Sequence, residues 1–459
     1  MAMHLYVTSA ACLSTRLSRR NRFFHAAIVR EAGGLTRRTV SRETLTRGEP
    51  MPNRDPDPRV TTGDWRQRKP DLPADELKLD AGFETLCEHF GEQHRNPFGA
   101  AAPPIYQTST FAYPDAEAFA QRQQPGVTTY DYTRAANPTT RLLEAKLARL
   151  ERGSWCDCFA SGMGAICAAI NACVRAGSHV VCVDQVYGPT RWYLNHLRRF
   201  DVETDYVASV EPADFFAAIR PETRVIYLES PTSGLFEMPD VEPIAAFARE
   251  RGIVTIFDNS WATPYFFNPL ECGVDLVVHS ASKYLNGHSD LVAGVVVGRD
   301  AELEERVGDE SMLGGATLEP FGAWLMLRGL RTLGLRMEQH QRSALEIAQF
   351  LESHERVARV HHPGLPSHAQ YEVARRRLRG TSGLFSFELR DESADAAHAF
   401  IDRLRLFRPA VSWGGYESLI LGGAMFRSRG DRPQQVIRVS VGLETTADLI
   451  DDLRQALEG

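Results

Sequence analysis

A chain of 459 residues is too long for one small core, so two sizeable packed units and a tail are expected. Apolar residues make up 43% and charged residues 24%, and nowhere do roughly 18 uninterrupted apolar residues occur, the length a membrane-spanning helix needs. A net charge of −7 and a pI near 6.1 lack the basic surplus of a nucleic-acid binder.

Residues 1 to about 75 read as a tail, rich in arginine, with no acidic residue before Glu31 and with Pro52, Pro56, Pro58 and Pro70. An organellar transit peptide has such a composition. An unstructured extension, or a start at Met51, explains it as well and is the preferred reading. The eight cysteines are scattered, with Cys156 and Cys158 as the close pair, which suits reduced thiols in a cytoplasm better than a disulfide framework or a metal site.

From about residue 130 short apolar runs alternate with helical periodicity. The runs cover residues 179–184, 224–229, 253–258, 275–280 and 292–298, and a helix-like stretch from Pro243 to Arg251 meets a stop at Gly252. Continuous apolar strands between helices predict an α/β unit with a mainly parallel sheet covered on both faces. Such sheets bind ligands at the carboxyl ends of their strands, and Asp184, Glu229, Asp258 and Ser280 each close one of these runs. Any one of the acids could simply cap the next helix; the four together favour a site. From about residue 326 a long amphipathic helix and the runs 383–389 and 436–441 predict a second, smaller α+β unit.

Only four of the 52 basic side chains are lysines, Lys69, Lys78, Lys146 and Lys283. Arginine cannot form an imine, so covalent amine chemistry has few possible homes. Lys69 lies in a Pro- and Arg-rich stretch and Lys146 is expected on a charged helix surface, which leaves Lys283, three residues after Ser280. Ser280 and Ser282 are placed to donate to a phosphate, although an ordinary lysine in a polar loop would look similar. The turn Ala160-Ser-Gly-Met-Gly164 opens an apolar helix and could present free amides to the same anion, or could be small for packing alone. Asp258 fits the partner of a protonated pyridine nitrogen, with Glu229 or Asp184 as alternatives. Tyr187 could stack on such a ring. Arg438, in mid-strand, needs an anion, either a substrate carboxylate or an internal acid.

The lysine segment Asp275-Leu-Val-Val-His-Ser-Ala-Ser-Lys-Tyr-Leu-Asn-Gly-His-Ser-Asp290, with Tyr130-Asp-Tyr-Thr-Arg134, Ser161-Gly-Met163, Asp184-Gln-Val-Tyr-Gly188, Glu229-Ser-Pro-Thr232 and Arg328-Gly-Leu-Arg-Thr-Leu-Gly334, resembles the Cys/Met-metabolism, or trans-sulfuration, family of pyridoxal 5′-phosphate (PLP) enzymes. The likeness runs from about residue 84 to the C-terminus. It implies the aspartate-aminotransferase-like fold (fold type I), with an N-terminal arm over 76–133, a large PLP-binding domain over 134–325 and a C-terminal α+β domain over 326–459. It implies that Lys283 carries the cofactor as an imine, that Gly162, Met163, Ser280 and Ser282 hold the phosphate, and that Asp258 pairs with the ring nitrogen under Tyr187. Arg438 and Ser412 would bind the substrate carboxylate. Tyr132 and Arg134 would enter the neighbouring subunit's site, so the active unit is a dimer at least, with a homotetramer as the family's usual state.

The segment Val411-Ser-Trp-Gly-Gly-Tyr416 is similar to the bacterial cystathionine β-lyases of this family, in which a tryptophan follows the serine. Most γ-acting relatives have leucine at the position of Trp413, and cystathionine γ-lyases and γ-synthases usually have glutamate at that of Val411. Methionine γ-lyases favour cysteine where Pro189 stands. Two positions depart from the β-lyase pattern: Val411 replaces a tyrosine, and Ser282 replaces a threonine while keeping the hydroxyl. The resemblance implies β-elimination of L-cystathionine to homocysteine, pyruvate and ammonia, in methionine biosynthesis and cysteine metabolism. The alternatives are a cystathionine γ-lyase or γ-synthase, an O-acylhomoserine sulfhydrylase, or a catalytically inert PLP-binding regulatory protein.

Overall fold

The computed structural model describes residues 79–92, 98–122, 124, 129–425 and 434–459; the tail expected over 1–75 lies outside them. Among the described residues the larger sheet contains β1 (Trp155–Phe159), β2 (His179–Val183), β3 (Glu203–Val207), β4 (Thr223–Glu229), β5 (Val254–Asp258), β6 (Leu276–His279) and β7 (Gly294–Gly298). Their order is β1-β7-β6-β5-β4-β2-β3. β2 to β6 run parallel, while β7 lies antiparallel to both β6 and β1. The smaller sheet holds β8 (Val357–His361), β9 (Leu384–Leu389), β10 (Arg408–Pro409), β11 (Leu419–Met425) and β12 (Gln434–Ser440) in the order β10-β11-β12-β9-β8. It is antiparallel except where β10 meets β11. This is the predicted α/β architecture with a smaller α+β part.

β2 and β6 are buried along their whole length, which is why they read as unbroken apolar runs. β1 (Trp-Cys-Asp-Cys-Phe) and β3 (Glu-Thr-Asp-Tyr-Val) escaped the sequence reading because acidic residues interrupt both; Asp157, in the middle of β1, is nonetheless buried. The helix Val241–Arg249 ends as expected ahead of Gly252, whose φ of +64° is the left-handed backbone that glycine adopts without strain.

The helices Pro138–Leu150 and Gly162–Asn171 pack on the large sheet. Helix Leu333–Ser353 serves both cores: Leu333 and Met337 join the cluster around the large sheet, and Ala344, Ile347, Ala348 and Leu351 join the cluster around Phe385, Phe387 and Ile437. One rigid helix therefore ties the two sheets together.

Lys146 corrects an expectation. Its charged neighbours suggested a surface lysine, yet it is fully buried. Helix Phe83–His89 packs across that face, and the ammonium donates to the Cys87 carbonyl at 2.7 Å and pairs with Glu92 at 2.5 Å. Arg331 shares the same carboxylate at 2.7 Å. A buried amine survives there because it is paired and hydrogen-bonded, and it is committed to structure. No helix among the described residues is long and apolar enough to cross a membrane.

Candidate active site

β4, β5 and β6 lie at the centre of the large sheet, and their registers align the carboxyl ends. Glu229 pairs with Asp258, and Asp258 pairs with Val278, one residue before the end of β6. The loop leaving β6 carries Ser280, Ser282 and Lys283, so two carboxylates and an amine converge because three parallel strands end together.

Lys283 is half-buried and its ammonium donates to Ser412 Oγ at 2.9 Å, with the Trp413 ring centroid 5.6 Å away. Burial lowers its pKa, with the Arg438 cation lowering it further and Asp258 opposing. A lysine that sheds its proton readily is what imine chemistry and general-base work require.

Ser412 has φ +80°, a left-handed backbone that serine adopts at a cost of about 1–3 kcal/mol. The turn lets one residue serve two partners, since its hydroxyl accepts from Lys283 and its carbonyl accepts from Arg438 Nη2 at 3.1 Å. Arg438 sits on β12 opposite Ser386 of β9 and Leu421 of β11, and among the described residues no carboxylate lies within ion-pair distance of it. That cation is open to an anionic ligand. Trp413 packs beside Tyr284, with ring centroids 5.5 Å apart.

Asp258 is nearly buried, and one oxygen accepts the Ser260 amide at 3.0 Å. The carboxylate lines the cleft it shares with Tyr187, Glu229, Lys283, Trp413 and Arg438. Burial raises its pKa, while Ser260, His279 and Lys283 pull it down. Glu229 takes the Tyr187 amide at 2.8 Å and the Ser233 hydroxyl at 2.6 Å. Burial first, then repulsion from Asp258, pushes its pKa up to about 8.

A carboxyl that holds its proton more tightly folded than unfolded favours the fold fully below its ordinary value of 4.5, and loses that contribution as the pH rises through about 8. The apoprotein of Glu229→Gln should therefore show a shallower fall of Tm across this window than the parent. Parallel Tm profiles would remove Glu229 as the titrating group.

The remaining expected residues fall into three sets. Gly162 and Met163 open the helix Gly162–Asn171, whose N-cap Ser161 accepts the Gly164 amide at 2.9 Å. The amides of Gly162 and Met163 and the Ser280 hydroxyl are left without protein partners among the described residues. A Cβ added at Gly162 would lie 2.8 Å from Ser280 Oγ, so glycine is what lets the helix start and that serine converge. Those donors, at the positive end of the helix dipole in a cavity of about 460 Å³, suit a phosphate. Ser282 differs: its hydroxyl accepts the Ala293 amide at 2.9 Å and donates to the Ala293 carbonyl at 3.2 Å. Tyr132 and Arg134 stay apart from this cleft; Tyr132 is exposed, and Arg134 donates to the Met312 carbonyl at 2.6 Å. Asp184, weighed as an alternative ring partner, instead pairs with Arg191 at 2.5 Å.

Sequence reasoning missed Ser233 and Ser260, which hold the two carboxylates. Each lies within four residues of its acid, but a serine in a turn carries no signal until the turn is folded.

An imine-competent lysine, a carboxylate for a ring nitrogen, a phosphate cradle and an open arginine, set between a parallel sheet and a smaller α+β part, define a PLP-dependent enzyme of fold type I. The family model described as "Cys/Met metabolism PLP-dependent enzyme" matches residues 84–458, and the chain belongs to that family. It is 40% identical over 392 residues to an L-methionine gamma-lyase of Porphyromonas gingivalis, covering 83% of this chain and 98% of that protein. It is 39% identical over 391 residues to a putative cystathionine beta-lyase of Rhizobium johnstonii (83% and 97% covered) and 40% identical over 385 residues to a cystathionine gamma-lyase of Bacillus subtilis (82% and 99%). Among solved structures, metB from Corynebacterium glutamicum superposes with a TM-score of 0.77 at 33% identity, covering 82% of this chain and 98% of that one.

Proposed function

We propose that this enzyme cleaves a carbon–sulfur bond by β-elimination, with L-cystathionine as substrate and homocysteine, pyruvate and ammonia as products. The observation that carries the reading is the Val411-Ser412-Trp413 turn. It sets an indole beside the Lys283 amine and puts valine, exposed at the cleft mouth, where γ-acting cystathionine enzymes usually have a glutamate.

Arg438 and Ser412 hold the substrate α-carboxylate, which fixes the Cα–H bond towards Lys283. Lys283, whose burial favours the neutral amine, would hold PLP and would take the Cα proton as general base. Bound PLP supplies the electron sink for the pair left by that proton. Asp258 would keep the ring nitrogen protonated, Tyr187 would lie against the ring, and the Gly162 and Met163 amides with Ser280 would hold the phosphate. Trp413 lines the same cleft beside the Lys283 amine and would contact the substrate side chain. Tyr132 and Arg134 complete the site of a neighbouring subunit in a cytoplasmic homo-oligomer.

Incubating the holoenzyme with L-cystathionine tests the reading. Pyruvate with homocysteine is the expected outcome, and Trp413→Leu should raise the KM for cystathionine roughly ten-fold through lost indole contact. The methionine γ-lyase relatives favour a second reading, γ-elimination. Release of 2-oxobutyrate in place of pyruvate, from cystathionine or methionine, would establish it and overturn the first.

A further inference from the structure

Behind the cofactor face of the large sheet lies a buried polar hub that the reaction does not use. Its centre is Glu151, the residue that ends the helix Pro138–Leu150, and it is 1% exposed. One carboxylate oxygen accepts from Asn259 Nδ2 at 2.7 Å and from His279 Nε2 at 2.7 Å; the other accepts from Asn268 Nδ2 at 2.9 Å. All three donors are buried as well. The ring of His279 has no other side-chain partner among the described residues, and its Nδ1 is buried without one, so Glu151 is what orients it.

The placement of two of those donors matters. Asn259 follows Asp258 at the end of β5, and His279 precedes Ser280 at the end of β6. Successive side chains point to opposite faces along a strand. Pulling Asn259 and His279 onto one carboxylate at the back therefore fixes Asp258 and Ser280 at the front. Two backbone-level ties complete the frame, Asn259 N–H to the Val278 carbonyl at 2.9 Å and Ser280 N–H to Ser260 Oγ at 2.6 Å.

We propose that Glu151 is a positioning residue for the cofactor: by clamping Asn259 and His279 from behind the sheet, it sets the spacing between the ring-nitrogen partner Asp258 and the phosphate donor Ser280. The clamp rests on the assignment of those two residues to PLP and is independent of whether β- or γ-elimination follows. Removing that carboxylate leaves the His279 ring without a side-chain partner and leaves Asn259 and Asn268 only the Phe267 and Leu150 carbonyls, each at 3.0 Å, which loosens the strand ends that carry His279 and Asn259. Asn268 extends the hub outward, its Oδ1 accepting from Arg379 Nη2 at 2.9 Å, so it touches Glu151 without touching either front residue.

The test measures PLP release from the full-length holoenzyme, without substrate, together with the pH midpoint of the bound cofactor's visible absorption. Glu151→Gln should weaken PLP retention roughly 10- to 100-fold, the scale of a lost hydrogen bond to a charged group, and should shift the midpoint. Asn268→Ala, which keeps the carboxylate, should weaken retention about three-fold in the same direction, and decides the matter if Glu151→Gln does not fold. Glu388→Gln removes a comparable partner from His361 (2.5 Å) in the smaller sheet and should lower Tm with PLP retention unchanged. Parent-like retention and midpoint in Glu151→Gln, parent-like retention in Asn268→Ala, or equal weakening in Glu388→Gln would each overturn the proposal. Failure of cystathionine cleavage would leave these readouts untouched and would count against the substrate alone.

Discussion

Lys283→Ala is expected to lower carbon–sulfur cleavage on the order of 10⁴-fold, the upper end of what a positioned general base contributes. Among the described residues the site holds no substitute amine, since Lys146 is buried against Glu92. Lys283→Arg should not rescue, because a guanidinium keeps its proton and cannot bond to an aldehyde. The fold should survive, since among the described residues the side-chain hydrogen bond lost is that to Ser412, about 1 kcal/mol. Turnover, the visible absorption of the cofactor and far-ultraviolet circular dichroism, measured on one sample, check all three statements. Retained elimination activity in Lys283→Ala would end the assignment.

The second large effect is expected at Asp258. Asparagine is nearly isosteric and still accepts the Ser260 amide, but it removes the charge that keeps a ring nitrogen protonated. We expect kcat to fall roughly 10²- to 10³-fold, the usual cost of deleting one preorganised electrostatic group. KM should change little if Arg438 and Ser412 bind the carboxylate as proposed, independently of Asp258. Steady-state kinetics on Asp258→Asn separate the two constants. A kcat within a few-fold of the parent would show that Glu229, in register beside it, can take over the ring nitrogen.

How much of this site was legible in the sequence depended on how local each signal was. Lys283 emerged by elimination among four lysines, and its strand-to-loop context came from the apolar run before it. Asp258 was favoured because it closes a run, although Asp184 closes one equally well. Only folding separated them: Asp258 faces the cleft at the sheet centre, whereas Asp184 is neutralised by Arg191, one helical turn into the next element. Lys146 was misplaced for the converse reason. Its flanking charges resemble a solvated helix face, and nothing local announces that a helix from residues 83–89 will cover it. Glu151 carried no signal at all, since its three partners lie 108 to 128 positions further along the chain.

The sequence by itself determined the α/β class and the family, and singled out Lys283 as the candidate amine, because each rests on periodicity or on contiguous motifs. The tertiary structure decided which acids meet the amine, which cation stays open for a carboxylate, and how Ser412 is turned to serve both. Those are non-local contacts, 26 positions apart for Ser412 with Arg438 and 129 for Ser412 with Lys283, set by strand register and by which helix packs over which face. Local sequence encodes the elements, while burial of their apolar faces fixes the partners.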